Sequence, residues 1–592
     1  MNETRQRIKA LRMEMLNRNL DAWYISGTDP HASEYLPERW QTRAFISGFT
    51  GSYGMVIVTQ EEAGLWTDTR YFFQAEEQLK GSGIKMYKLR VPEAVAPEAW
   101  LSKKLQPDSK VGFDPQTLSV AGFRTLNNSL GKAGIDLVET PDFFEKIWEN
   151  RPRIPAGKIF ELKTSFTGLS RKDKRELITT ELKKYDADFQ VITALDELAW
   201  LFNLRGSDIP YNPVFTGYGI VGKNDWILFT DPAKLPGELK NHLEKEKINL
   251  MGYTEFPAWL KTVKGKRILI DPGSANYTVY NLLQSDNKIT EDTSVVALLK
   301  FRKNKTELDG FREAMKKDGV ALLEFLFWLR ENVEKGTITE YTAGRKLAEF
   351  RSLQKDFKGE SFAPIVGYKE HGAIVHLNVG EADALPLKPE GILLFDSGGQ
   401  YLQGTTDVTR TVALGAVTQK QQNDYTLVLK GMIALTMARF PAGTKGFHLD
   451  VLARKALWER GLNYGHGTGH GVGHFLNVHE GPMSVRQEFN EVPIMPGMVL
   501  SNEPGLYREG EYGIRTENMI VCVEKEASAF GHFLGFDTLT LCPINSRLIN
   551  IELLSGKERD WLNNYHKKVR RELTPLVRKE LHGFLEKLTK EI

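Results

Sequence analysis

Between His466 and Glu480 the chain reads HGTGHGVGHFLNVHE, which puts four of its twelve histidines and four glycines into fifteen residues. Each glycine costs about 1 kcal/mol against alanine in a helix interior, so this density predicts strand or loop. The spacing of His466 and His470 at i, i+4 therefore does not describe a zincin helix, and no HExxH glutamate accompanies it. A dinucleotide-binding loop is excluded as well, because GTGHGVG spells G-x-G-x-x-G in neither register. What remains is a histidine held where the backbone lies close to something bulky and charged.

Acidic residues meet apolar runs at four other places. GILLFD ends on Asp396 and PGMVLSNEPG reaches Glu503, whereas GTTDVTRTVAL and GIRTENMIVCV are expected to hold Asp407 and Glu517 inside strands. An acid at such a position is costly to bury unless a cation accompanies it. With His470 these residues make an oxygen-rich set of four carboxylates and one imidazole, which suits two divalent ions such as Mn²⁺, Co²⁺ or Zn²⁺. Two ions about 3.5–4 Å apart need bridging anions; carboxylates can bridge, and a single imidazole cannot. If Asp396 and Asp407 face each other on a hairpin, its centre falls between Tyr401 and Leu402. That requires a loose loop through SGGQYLQG, not a tight turn at Gly398-Gly399.

A chain of 592 residues is too long for one core, and about 150 residues per domain gives three or four. The first half repeats itself. A basic amphipathic helix precedes the strand DAWYIS, then the strand-like runs RAFISGF, GMVIVT and GLWTDTRY, then the helix FFQAEEQL. From about Leu169 the order returns as RKDKRELITTELKKY, DADFQVIT, LAWLFNLRG, FTGYGIV and WILFTD, with a join at the proline-interrupted Arg151–Lys158. Long helical patterns follow from Thr306 to Asn332 and from Glu340 to Phe350. The expected domains are 1–152, 153–304 as a repeat of it, and a catalytic 305–592. The two repeats show no nucleophile or ligand cluster, so they are read as positioning, covering or dimerising.

The 78 lysines and arginines against 76 acids leave a net charge of +2. Nothing in that balance calls for nucleic acid or an anionic membrane as partner. Cys522 and Cys542 are the only cysteines, no eighteen apolar residues run together, and MNETRQRIKALRMEML lacks the apolar core of a signal peptide. The expectation is a cytoplasmic protein.

RAFISGFTGSYG, WTDTRYFFQA, LRGSDIPYNPV, DSGGQYLQGTTDVTRTV, HGTGHGVGHFLNVHEGP, SNEPGLY and GIRTENM carry a family resemblance. The chain resembles the dinuclear metallopeptidases of the pita-bread fold, and within them the three-domain aminopeptidase P form. The resemblance implies an α/β (α+β) architecture: two creatinase-like mixed α/β domains, then a pita-bread metallopeptidase domain. It implies that Asp407 and Glu517 bridge two ions, that Asp396 chelates one, and that His470 with Glu503 completes the other. The ions would be Mn²⁺ first, with Zn²⁺ or Co²⁺ as alternatives. His376, His466 and His479 match substrate-side histidines, His376 and His479 with catalytic roles beside Glu503, and Arg515 matches an arginine that supports the site.

His474 has no counterpart and is read as structural. Leu377, Gln403 and Gly481 depart from the family pattern without touching a ligand, which leaves the pocket's shape open. The implied activity is removal of the N-terminal residue from peptides with proline second, by a metal-bridging hydroxide, in a homodimer. His466, Phe362 and Val375 are candidates for the walls of the proline slot. A prolidase acting on Xaa-Pro dipeptides is the alternative, followed by a metal-free peptide-binding module.

Overall fold

A computed structural model describes residues 3–592. The chain divides into two compact units, one running up to Leu162 and taking in Leu169–Leu299, the other made of Lys163–Gly168 and Lys300–Ile592. Among the described residues no helix is long and apolar enough to cross a membrane.

The first unit contains the repeat as two six-stranded sheets of identical plan. One runs in the order Lys85–Lys88, Ala63–Thr67, Met55–Thr59, Ala22–Ile25, Lys110–Phe113, Asp136–Glu139. The other runs Asn249–Met251, Trp226–Phe229, Tyr218–Gly222, Phe189–Ile192, Arg267–Ile270, Lys288–Glu291. In both, the second to fourth strands are antiparallel neighbours and the remaining pairings are parallel. The seam between the sheets includes Asn276, whose amide donates to Pro30 O at 2.8 Å, and an Arg124–Glu291 ion pair.

Two runs expected as strands are helices, one in each copy. RAFIS lies in the helix Thr42–Ser47, which ends because Gly48 adopts the left-handed conformation (φ 74°) that glycine accepts without a steric penalty. LAWL lies in the helix Leu195–Leu201, which carries Asp196 and Glu197 in its first turn, where carboxylates favour the helix N-terminus. Both runs are short and apolar, and length and periodicity do not separate a buried strand from a buried helix in such runs.

The second unit is built on the helix Lys305–Asn332, which starts at a capping box: Asn304 accepts from the Glu307 backbone while the Glu307 carboxylate accepts from that of Asn304. Its apolar stripe, Leu322, Leu326 and Leu329 among others, enters a core shared with the helices Gln419–Thr436 and Gly556–Leu573. Two sheets position the chemistry. One is three-stranded, Ile365–Tyr368, Ile392–Ser397, Val408–Ala413. The other is six-stranded and ends in the order Asn518–Ser528, Val499–Asn502, Gly469–Gly471, Glu480–Val485.

Behind the strand Ile392–Ser397 lies a buried ion pair. Arg351 donates to Asp318 at 2.7 and 3.1 Å and to Ser397 O at 3.2 Å, and Tyr401 OH donates to Asp318 at 3.0 Å. Both charged residues are fully inaccessible. Replacing Arg351 by Met strands the Asp318 carboxylate, and removing one partner of a buried pair costs about 3–5 kcal/mol. Urea unfolding of Arg351→Met should show a loss of that order in the transition of this unit; an unchanged midpoint would mean that Asp318 finds its compensation elsewhere.

Candidate metal centre

The acids and His470 come together where the two sheets of the second unit meet, and three of the four acids occupy breaks in the ladders. Asp396 is inside the strand Ile392–Ser397. Asp407 immediately precedes Val408–Ala413, Glu503 immediately follows Val499–Asn502, and Glu517 lies between Tyr512–Arg515 and Asn518–Ser528. Asp407 and Glu517 are therefore not inside strands, contrary to expectation. The main chain at these breaks bonds elsewhere: Glu503 N–H donates to Thr468 O at 2.8 Å and Glu517 N–H to Thr409 O at 3.2 Å. The second of these bonds joins the two sheets.

The hairpin register also differs. Asp396 pairs with Thr409, two residues beyond Asp407, and Gln400↔Thr405 and Tyr401↔Gly404 close a two-residue turn at Leu402-Gln403. No loose loop is needed. Gly398 serves close approach, since a Cβ there would lie 1.9 Å from Thr406 O and 2.2 Å from Ser361 Oγ. Because side chains alternate with period two, an offset of two residues keeps Asp407 on the Asp396 side.

Ligand atoms of Asp407, His470 and Glu517 all lie within 4.8 Å of one another. His470 Nε2 is 3.4 Å from Asp407 Oδ2 and 3.5 Å from Glu503 Oε1. His470 Nδ1 donates to Gly471 O at 2.9 Å, which assigns the proton to Nδ1 and leaves Nε2 as the ligating nitrogen. Burial pushes the carboxyl pKa values up: Glu517 well above the usual range, with Asp407 and Asp396 adding to the effect; Asp396 upward despite Arg515; and Glu503 to about 7. Burial alone would lower the His470 pKa, but Asp407 and Glu503 outweigh it and raise it to about 9. Three buried carboxylates and the half-buried Glu503 thus face one another with too little positive charge among them.

Asp396 Oδ1 and Glu517 Oε1 are buried oxygens with no hydrogen-bond partner. Oxygen donors aimed inward, one imidazole and a deficit of cations fit divalent metal ions.

Arg515 has 1% exposure and ties the surroundings to these acids. It donates to Asp396 Oδ2 at 2.6 Å, to Tyr507 OH at 2.6 Å and to Thr409 Oγ1 at 3.1 Å, and reaches Val375 O at 3.5 Å. Through Val375 the segment carrying His376 meets the site. His466 Nε2 is 2.8 Å from Tyr507 OH, so His466 connects to Arg515 through that hydroxyl. His479 packs edge-on against His470, with ring centroids 4.4 Å apart. His474 is buried against Phe311, 5.6 Å between centroids.

Leu377 belongs to a small cluster with Ile365 and Leu394, Phe362 is buried, and Gln403 sits at the hairpin turn, donating to Asp356 at 2.7 Å. Tyr507 and Thr409 were not among the expected site residues. Tyr507 was within reach of the sequence: GLYREGEYGIR reads as a hairpin turning through Glu509, Gly510 and Glu511, and the register Gly505↔Arg515, Tyr507↔Gly513 makes Tyr507 and Arg515 diagonal neighbours.

A family model described as metallopeptidase family M24 matches residues 309–524, and one for the C-terminal region of that peptidase matches 532–592. Two models described as creatinase/prolidase N-terminal domains match 7–147 and 150–307. A probable Xaa-Pro aminopeptidase P of Laccaria bicolor is 40% identical over 606 residues, covering 99% of this chain and 93% of the relative. Xaa-Pro aminopeptidase 1 of Dictyostelium discoideum is 39% identical, covering 97% and 94%. Among solved structures, X-prolyl aminopeptidase of Caenorhabditis elegans, described as a cytosolic enzyme with a di-nuclear active site, superposes with a TM-score of 0.95 at 34% identity over 100% of both chains.

Proposed function

Since the chain belongs to metallopeptidase family M24, among the Xaa-Pro aminopeptidases, we propose that it removes the N-terminal residue from peptides whose second residue is proline. The observation that carries this reading is the convergence of Asp396, Asp407, His470, Glu503 and Glu517 around inward-facing oxygens without partners. These five residues would hold two divalent ions, Asp407 and Glu517 shared between both. When bound, the ion pair supplies a water of lowered pKa and a Lewis acid for the scissile carbonyl.

The remaining steps fall to the chain's own side chains. Glu503, half-buried 3.5 Å from His470, takes the proton of the attacking water and passes it toward the leaving proline nitrogen. His479 donates a hydrogen bond to the carbonyl oxygen as negative charge develops on it. His376 steadies the same tetrahedral centre. Asp396, fixed by Arg515 and Thr409, receives the free α-amine, which restricts cleavage to the first residue. His466 and Val375 face the proline ring. Mn²⁺ as the resident ion, a homodimer, a cytoplasmic location and domains 1–152, 153–304 and 305–592 belong to the same proposal. Metal analysis and light scattering on purified protein test the first two.

Prolidase needs a cation to stop the substrate carboxylate after proline. The Arg515 guanidinium is already committed to Asp396, Tyr507 and Thr409. Xaa-Pro-Xaa peptides should accordingly be cleaved at least about tenfold faster in kcat/KM than Xaa-Pro dipeptides, a difference of about 1.4 kcal/mol. Equal turnover of the dipeptide in that competition assay would favour prolidase.

A further inference from the structure

Glu480, the residue after His479, has both carboxylate oxygens gripped by lysines. Lys300 Nζ donates to Oε1 at 2.7 Å and Lys303 Nζ donates to Oε2. Lys300 and Glu480 are 2% exposed and Lys303 is 5% exposed. Lys303 Nζ also donates to Lys300 O at 3.2 Å, and its backbone N–H donates to Gly497 O at 2.9 Å. Two buried ammonium groups meet on this carboxylate, with the buried Glu307 also acting on Lys303, and a buried charge is tolerated only when its partners are well placed. What the second lysine adds is geometry: with each oxygen bonded to a different cation, the side chain has no rotamer left to explore.

The main chain of Glu480 is equally confined. It pairs with Gly471, next to His470, and a Cβ on Gly471 would lie 2.4 Å from Glu480 O. Val478 and Glu480 are buried on either side of the half-buried His479, whose ring lies against His470 with centroids 4.4 Å apart.

We propose that Glu480, clamped by Lys300 and Lys303, is a positioning residue that aims His479 at the developing oxyanion. This rests on the role given to His479 above. An oxyanion donor is effective only if it already sits where charge will appear, within about 0.5 Å. Glu480→Gln keeps the shape but turns an amide toward an ammonium group, so the clamp opens on one side.

The test is a double-mutant cycle on the metal-loaded full chain, measuring kcat, KM, bound metal per chain and thermal midpoint. Glu480→Gln should lower kcat at least tenfold, with KM within threefold and metal content unchanged. In a His479→Ala background the same change should cost less than twofold, because the residue it positions is gone. An equal loss in both backgrounds, or full activity in Glu480→Gln, overturns the proposal. If Glu480→Gln does not fold, Lys303→Met takes its place in the cycle; failure of both to fold would make the cluster a folding element and reject the positioning role. His479→Ala with wild-type kcat would instead refute the reading of His479 itself.

Discussion

Asp407→Ala and Glu517→Ala are each expected to fold, to bind less metal, and to lose turnover by at least about 10⁴-fold, equivalent to about 5.5 kcal/mol of transition-state stabilisation. In the proposed arrangement each of these carboxylates neutralises both ions, so its removal unbalances the whole centre, whereas loss of His470 or Glu503 affects one ion. The structure gives a second reason. Glu517 is fastened on two sides, by its N–H to Thr409 O and by Thr409 Oγ1 donating to Glu517 Oε2 at 2.8 Å, leaving Oε1 as the oxygen aimed inward. Alanine at Glu517 removes that aimed oxygen without disturbing the backbone bond. Elemental analysis of the folded variants beside a turnover assay decides the matter. Two ions per chain with near-normal kcat in Asp407→Ala would take that residue out of the ligand set.

His479→Ala and His376→Ala are expected to behave differently, keeping full metal content while kcat falls by about 10²- to 10³-fold, the scale for loss of one oxyanion donor. His479 contacts the centre through the His470 ring, and His376 follows Val375, whose carbonyl lies 3.5 Å from Arg515. Neither is placed among the five proposed ligands. KM should change little, because an interaction made in the transition state alone leaves ground-state binding intact. Metal loss in either variant would move that histidine into the coordination shell.

Much of the fold could be read from the chain because it repeats, and the repeat preserves strand order even where individual runs mislead. RAFIS and LAWL misled for one reason: a short, largely apolar run looks alike as strand or helix, and only the flanking signals, Gly48 after the first and Asp196-Glu197 before the second, tell them apart. The four acids were legible as a candidate set by residue type and spacing, but the strand placement of Asp407 and Glu517 was not, because a ladder break is set by which partner a backbone N–H finds across the fold. Thr409 was invisible for the same reason, as its hydroxyl matters only once Arg515 and Glu517 lie beside it. In LLKFRKNK nothing local announces that two of the lysines are buried on a glutamate far along the chain.

The two-residue turn at Leu402-Gln403 limits how this segment can change length. Asp396 and Asp407 share a face because the path between them contains an even offset from the ladder partner, Thr409. Insertion or deletion of a single residue in the paired arms, 397–401 or 404–408, would slip the register and rotate Asp407 to the opposite side, whereas one at the turn itself would only change the loop length. Pairs of residues could come and go with the faces preserved, provided Gly398 keeps its place under Thr406 O. The arms of the hairpin are therefore subject to a parity rule: over generations they can drift in steps of two, and an odd change that the turn does not absorb would be lost from the lineage even with all four acids still present.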